Sequence, residues 1–165
     1  MNRRYVLQLG PQGDREIVMK RSFDAPRDLV FEAMTKPELL KRWLFGPVGW
    51  TMTHCAVDLR VGGKYRYEWR KVDGTEMGMG GVFREIVRPA RLVTTELFDQ
   101  DWTGGEVAAT AVFDETAGVT TLTTTLVYPT HAAREAVLKS GMERGVAVGY
   151  DRLDDIFAES AQSTA

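Results

Sequence analysis

The chain has 165 residues, of which 44% are hydrophobic and 27% charged, a balance typical of one soluble globular domain with a sizeable core. Its formal net charge of −2 argues against nucleic-acid binding, because phosphate recognition needs a concentrated basic patch. The single cysteine, Cys55, excludes an internal disulfide bond, and no stretch has the pattern of a signal peptide or a membrane span. We therefore expect a cytoplasmic protein that binds neither nucleic acid nor membrane.

The chain begins with one or two predicted strands. Residues 16–23 alternate apolar and polar side chains, which predicts a strand, and residues 4–9 predict a shorter strand before it. The turn between them would fall in the sequence GPQGD, which contains both Gly and Pro. Pro26 then suits the first turn of a helix, where its missing N–H costs nothing.

A second short helix should follow the first and end at Gly46-Pro47. Thr35 and Glu38 have capping-box spacing, which predicts that each satisfies a backbone N–H of the other at the start of this helix. The two short helices therefore lie between the first strand and the rest of the sheet.

The middle of the chain is predicted to be entirely β. Short breaks with turn chemistry separate the candidate strands, so consecutive strands should pair as antiparallel hairpins. The six strands are predicted at residues 50–59, 63–71, 76–88, 91–99, 106–114 and 119–128.

Residues 131–160 are predicted to form the longest element, one amphipathic helix. Apolar side chains recur every three or four residues for about 30 residues, or about 45 Å. Thr130 can cap its start, and Ser140 and Gly141 can kink it. A curved antiparallel sheet and one long helix bury their apolar faces on each other, which gives an α+β fold. A seven-stranded sheet around one helix should leave a hollow between them.

Four stretches resemble, in the right order, homologues of the heat-shock-protein-90 ATPase activator in the START-like, or SRPBCC, superfamily. The resemblance implies a helix-grip fold: a curved sheet around a long C-terminal helix, with two short helices after the first strand. It implies one domain at 15–160, between an N-terminal extension at 1–14 and a flexible tail at 161–165. The functions it implies include lipid and polyketide binding, cyclisation, hormone reception and co-chaperone activity. The stretches are FDAPRDLVFEAMTKPELLKRW, VDLRVGGKYRYEW, GVFREIVRPARLVTTE and SGMERGVAVGYDRLDDIF.

The most specific piece of that resemblance is the run from Asp58 to Gly63. The residue types themselves indicate a structural turn, in which Gly62 and Gly63 supply positive φ angles. Asp58 and Arg60 would then pair with each other or cap the turn.

The two strands that follow carry the candidate binding residues. Tyr65, Tyr67 and Trp69 share one face, which fits either a core or the wall of a pocket. The two tyrosine hydroxyls need partners when buried, and an apolar wall with a few polar groups is typical of a small-molecule site. Met77, Met79 and Phe83 alternate on the next strand, and Met adapts to irregular space. The glycines interleaved with them indicate a bulge or a close backbone approach; they are Gly78, Gly80 and Gly81.

The last helix carries Gly141, Gly145 and Gly149 as a stripe of small residues. Each glycine costs a helix about 1 kcal/mol relative to alanine, so the stripe indicates either tight packing or a cavity wall. Val146 stands where many members of the resembled family have an aromatic residue or Met, which leaves more free volume.

Aromatic residues in and after the second helix and in a later loop can gather at a pocket mouth or form a partner surface, and the sequence leaves both open. They are Trp43, Phe45, Trp50 and Trp102.

The sequence offers little for catalysis. His54 and Cys55 are adjacent in a strand and should point to opposite faces, and His131 should lie in solvent at a helix start. No cluster of His and Cys indicates a metal site. Three strand carboxylates could enter a cavity and acquire raised pKa values. They are Glu68, Glu85 and Glu96.

The sequence therefore predicts a domain, monomeric or homodimeric, that binds a small apolar or amphipathic molecule without catalysis, cofactor or metal. The alternatives are a chaperone-interaction module, which only the resemblance implies, and a cyclase- or hydrolase-like enzyme that uses a cavity carboxylate. The predicted ligand-binding residues are Trp43, Tyr65, Tyr67, Trp69, Met77, Met79, Phe83, Phe98, Met142, Val146 and Tyr150.

Overall fold

The computed structural model describes residues 4–101 and 103–163. The described chain forms an eight-stranded antiparallel sheet in the order β1-β2-β8-β7-β6-β5-β4-β3, with four helices. The strands are β1 (Gln8–Gln12), β2 (Glu16–Phe23), β3 (Trp50–Val57), β4 (Lys64–Lys71), β5 (Glu76–Val87), β6 (Arg91–Phe98), β7 (Val107–Thr116) and β8 (Val119–Val127). The helices are α1 (Arg27–Thr35), α2 (Pro37–Trp43), α3 (His131–Leu138) and α4 (Met142–Ser163).

The predicted α+β helix-grip fold is confirmed. Strands β3 to β8 pair consecutively, as the short turns between them require, and β2 pairs with β8. Helices α1 and α2 carry the chain from β2 to the opposite edge of the sheet at β3. The curved, open sheet therefore faces the C-terminal helices on one side.

The first strand lies further along the chain than predicted. Residues 8–12 pair with β2, with Pro11 opposite Ile17, so the prediction of a strand at residues 4–9 was wrong. The turn falls after Gln12, where Gly13 has a φ of 56°. An edge strand tolerates Pro11, because the position of its missing N–H need not face a neighbouring strand. This strand brings the sheet to eight strands rather than seven.

The predicted capping box at Thr35 was also wrong. The Thr35 hydroxyl donates to the carbonyl oxygen of Phe31 at 2.9 Å, one turn back in its own helix. Lys36 occupies the cap position of α2 and makes no side-chain capping bond, while Pro37 is the first helical residue. Pro37 removes one of the backbone donors that a capping side chain would have satisfied.

The C-terminal helical region is broken rather than continuous. Helix α3 ends at Leu138, and Gly141 has a φ of 85°, which no residue inside an α-helix adopts. The break falls at the Ser140–Gly141 pair where a kink was expected, because Gly adopts this conformation without steric cost. None of the helices in residues 4–101 and 103–163 is long and apolar enough to span a membrane.

The main core lies against the C-terminal half of α4. Leu153 is fully buried, and the ring of Phe157 packs edge-on against Phe23 of β2 at 5.6 Å between centroids. Phe31 of α1 contacts Phe113 of β7 at 5.4 Å. The C-terminal half of α4 is thus fixed in the core, while its N-terminal half lies over open space.

Candidate functional site

A cavity of about 540 Å³ lies between the concave face of the sheet and the N-terminal half of α4. Strands β4 to β8 form its floor, and α2, the segment after it, and α4 complete the wall. Most of its lining is apolar. Glu96 and Arg152 are the charged residues among the described residues that line it.

All eleven residues predicted to bind a ligand line this one cavity, and their binding role stays a prediction. They are Trp43, Tyr65, Tyr67, Trp69, Met77, Met79, Phe83, Phe98, Met142, Val146 and Tyr150. Phe45 and Trp50 also line it, as expected for a pocket mouth, whereas Trp102 lies outside the described residues.

The aromatic row of β4 is buried and also faces the cavity. The ring centroids of Tyr65 and Tyr67 are 5.0 Å apart, and those of Tyr67 and Trp69 are 5.9 Å apart. The Trp69 indole donates to the Leu44 carbonyl oxygen at 2.7 Å, so its polar atom holds the segment after α2. Core and pocket wall are therefore not exclusive descriptions of this row.

Gly81 allows Tyr65 to reach into the sheet. A side chain at Gly81 would overlap the Thr95 carbonyl oxygen and contact the Tyr65 hydroxyl. That hydroxyl donates to the Thr95 carbonyl oxygen at 2.5 Å, at a gap in the pairing of β5 with β6. The predicted close backbone approach is thus confirmed at Gly81, and it fixes the position of one tyrosine hydroxyl.

Glu96 points into the cavity from the middle of β6. Its carboxylate has no hydrogen-bond or ion-pair partner among the described residues, and desolvation by its surroundings raises its pKa to about 7. Glu96 in turn contributes to the raised pKa values of tyrosines on three sides of it, although desolvation is the larger cause in each. These are Tyr65, Tyr67, Tyr128 and Tyr150.

Two of these tyrosine hydroxyls, on Tyr67 and Tyr128, also face open space. Neither makes a hydrogen bond to a described residue, although both residues are at least nine-tenths buried. No fully buried side-chain N or O atom of the described residues lacks a partner. The two hydroxyl oxygens must therefore be accessible, and the cavity is the open space that both residues line.

Arg152, the other charged residue of the lining, has partners of its own. Its guanidinium donates to the carbonyl oxygens of Trp43 and Gly46 at 3.2 and 2.8 Å, and it stacks on the ring of Phe45 at 3.7 Å. Desolvation lowers the pKa of Arg152. Arg152 therefore fastens the segment after α2 to α4.

The cavity reaches the surface beside the first turns of α4. Gly145 is exposed and lines the cavity, and a Cβ added there would meet nothing within 4 Å. Gly149 also lines it but is buried, and its added Cβ would lie 3.3 Å from the Trp43 ring. The prediction of three glycines on one helix was wrong, because Gly141 lies in the break between α3 and α4. The other two combine both predicted roles: Gly145 borders open space and Gly149 allows a tight contact.

The hairpin turn after β3 has a structural role in the fold. Arg60 pairs with Asp58 at 2.8 Å, as predicted, and Gly62 has a φ of 84°. The expectation of a positive φ at Gly63 was wrong. Gly63 is needed because a side chain there would overlap the Asp58 carbonyl oxygen.

Of the three carboxylates considered for the cavity, Glu96 alone lines it. Glu68 pairs with Arg66 and Glu85 pairs with Arg91, each at 3.1 Å on the surface. The signal for Glu96 was present in the sequence, because period-two alternation places it on the same face of β6 as Phe98.

The other reactive side chains do not assemble into a site. His54 is exposed while its neighbour Cys55 is half-buried, and desolvation raises the pKa of the Cys55 thiol. His131 contacts the backbone and side chain of Asp14 at the start of α3. Among residues 4–101 and 103–163, no three His, Cys, Asp or Glu side chains are placed to hold a metal ion.

The sheet, its order and the terminal helix define a START-like protein of the helix-grip class. The chain belongs to the family described as Activator of Hsp90 ATPase homolog 1-like protein, whose model matches residues 24–158. A comparison with curated proteins finds no significant match.

Solved structures share the fold over nearly the whole chain. A protein of Rhodobacter sphaeroides is 34% identical, with 93% of this chain and 99% of that one covered and a TM-score of 0.88. A protein of Nitrosomonas europaea is 25% identical, with 92% and 99% covered and a TM-score of 0.78. A protein of Arthrobacter aurescens is 24% identical, with 93% and 92% covered and a TM-score of 0.82, which shows the fold alone.

Proposed function

We propose that this protein binds a small apolar or amphipathic molecule in the cavity between the sheet and the N-terminal half of α4. The observation that carries the proposal is the open space of about 540 Å³, a volume within the range of roughly 300–1,000 Å³ that is usual for small-molecule sites. Its apolar wall supplies burial for a ligand, and Met77 and Met79 can adapt to the shape of that ligand. No catalytic step is required.

Tryptophan fluorescence tests this proposal directly. Trp43, Trp50 and Trp69 line the cavity, so a bound molecule should change their emission. We expect at least one member of a panel of lipids, aromatic compounds and polyketides to give a saturable change. The absence of a response from the whole panel would contradict the proposal.

A pair of variants on α4 locates the binding site. Val146→Phe should reduce affinity, because Val146 lines the cavity and a larger side chain fills it. Val148→Phe is the matched control, since Val148 is exposed on the same helix and outside the lining. Equal affinities in the two variants would place the bound molecule elsewhere.

A cyclase- or hydrolase-like activity is the second candidate, and Glu96 is the observation that favours it. A carboxyl group with a pKa near 7 suits general acid–base catalysis at neutral pH. If the protein is an enzyme, Glu96→Gln should abolish turnover while substrate binding persists. Turnover that survives in the variant would remove Glu96 from the mechanism.

Family membership supports a third candidate, a module that acts on a chaperone. A pull-down that recovers the host's heat-shock-protein-90, together with stimulation of its ATPase, would favour this function over ligand binding. Val146→Phe then separates the two functions, because filling the cavity should leave a chaperone contact on the outer surface unchanged.

A further inference from the structure

We propose that Glu96, together with the hydroxyls of Tyr67 and Tyr128, forms a polar subsite that binds a hydrogen-bond-donating head group, an amine or a hydroxyl, and disfavours a carboxylate. This inference rests on the proposed ligand-binding function, and it specifies the chemistry of one end of the ligand. The same cavity would thus separate amphipathic molecules by head group.

The cavity holds a negative charge at Glu96 without a compensating positive charge among the described residues beside it. Arg152 makes hydrogen bonds to two backbone carbonyl oxygens and a stacking contact, so its guanidinium already has partners away from Glu96. No described cation pairs with Glu96. An anionic head group at Glu96 would therefore place two negative charges together in a poorly solvated space, which is costly.

The polar groups of the subsite have unused capacity to accept hydrogen bonds. An ionised carboxylate only accepts hydrogen bonds, and a tyrosine hydroxyl both accepts and donates. The Glu96 carboxylate and the Tyr67 and Tyr128 hydroxyls make no hydrogen bond to a described residue, and all three residues line the cavity. Each of the three groups can therefore accept an N–H or O–H group of a ligand in the cavity.

A ligand at this subsite would also offset the cost of desolvating Glu96. A carboxylate held in an apolar wall without a partner opposes folding, because its charge is desolvated without compensation. The raised pKa of Glu96 is the measure of that cost. A ligand that donates hydrogen bonds or brings a positive charge would supply the missing compensation, and nearby tyrosine rings would also favour a cation.

Competition with a neutral dye provides the test. Nile red reports whether the cavity accepts an apolar guest, independently of any head group. Octylamine, octanol and octanoic acid, which share one chain, then compete for it at pH 8, where Glu96 is mostly ionised. We expect octylamine or octanol to bind at least about tenfold more tightly than octanoic acid, as for a hydrogen bond to a charged group. If octylamine binds more tightly than octanol, the subsite prefers a basic head group. If octylamine and octanol bind equally and both bind more tightly than octanoic acid, the subsite prefers any hydrogen-bond donor.

Variants connect that preference to the subsite. Glu96→Gln should remove most of the preference over octanoic acid, and Tyr67→Phe should reduce the affinity for the preferred ligand by about two- to tenfold. Glu68→Gln is the matched control, because Glu68 is an ion-paired surface carboxylate. Retained Nile red binding shows that each variant is folded.

The outcomes separate this inference from the function on which it rests. If neither Nile red nor any octyl compound binds, the proposed ligand-binding function fails. If Nile red binds but the three octyl compounds compete equally, or if Glu96→Gln leaves their ranking unchanged, the head-group inference alone is overturned.

Discussion

Glu96 couples the stability of the fold to pH. Its pKa rises from an ordinary 4.5 to about 7 in the folded protein, so the folded state binds this proton more tightly than the unfolded state. Between these two values the unfolded chain has released the proton while the folded chain still holds it. The contribution of Glu96 therefore makes the free energy of unfolding fall as pH rises from about 4.5 to about 7, by about 3 kcal/mol.

Glu96→Gln should remove that pH dependence, since the amide does not titrate. The groups that face Glu96 from neighbouring elements are tyrosines that stay neutral in this range. Urea unfolding at several pH values measures the effect. The variant should be more stable than the wild type at pH 8 and should differ little from it near pH 4.5. Parallel pH profiles for the two proteins would contradict the assignment.

The two glycines of the β3–β4 turn should respond differently to alanine. Gly62→Ala meets no neighbouring atom within 4 Å, and its positive φ should cost about 1–2 kcal/mol. Gly63→Ala should cost more, because its Cβ overlaps a backbone oxygen that cannot move alone. Thermal or urea unfolding gives the ranking, and an equal loss in both variants would show that the turn relaxes around residue 63.

Helix α4 divides into two halves with different neighbours. Its C-terminal half packs Leu153 and Phe157 into the core, while Met142 and Val146 border the cavity. The first half therefore makes fewer apolar contacts with the sheet, and its stability depends more on the helix's own propensity.

The two glycines within α4 provide a test of that division. Gly145→Ala should stabilise the protein by about 0.5–1 kcal/mol, since alanine favours the helix and the new methyl meets nothing. Gly149→Ala should gain less or lose stability, because its Cβ would lie 3.3 Å from the Trp43 ring. The difference in free energy of unfolding is the measurement, and a larger gain at residue 149 would contradict it.

At the scale of the whole molecule, a buried arginine fixes α4 to the sheet. Arg21 of β2 is 1% exposed, and its guanidinium donates to Asp154 at 2.6 Å and to Asp151 at 3.1 Å. It also lies over the Phe23 ring at 4.9 Å. Asp151 and Asp154 lie at the middle of α4, so Arg21 attaches the helix to the sheet between its cavity-lining half and its core half.

Arg21→Met should therefore destabilise the protein by about 1.5–3 kcal/mol, since the hydrogen bonds from the buried guanidinium to two partly exposed carboxylates are lost. Arg42→Met is the control, because Arg42 of α2 also pairs with an acidic residue of α4. Arg42 pairs with Glu159 on the surface, and exposed pairs contribute about 0–1 kcal/mol. Chemical denaturation compares the two, and similar losses would mean that Arg21 does not fix the helix.

The sequence by itself determined the fold class, seven of the strand positions to within a few residues, and the faces shared by the candidate residues of β4 and β5. Those properties are local, because alternation, turn residues and helical spacing are set by neighbours along the chain. The face shared by Tyr65, Tyr67 and Trp69 followed from period two alone, and the same rule would have placed Glu96 beside Phe98.

Only the tertiary structure decided the pairing of residues 8–12, the full break at Gly141, the use of Thr35, and which carboxylate enters the cavity without a partner. The pairing of residues 8–12 and the lack of a described cation beside Glu96 depend on atoms distant in sequence. Thr35 and Gly141 differ, because each had two local conformations or hydrogen-bond partners available and the sequence pattern did not separate them. The cavity volume was also decided by the tertiary structure. It is the volume that the sheet and α4 enclose minus the volume of the side chains that fill it.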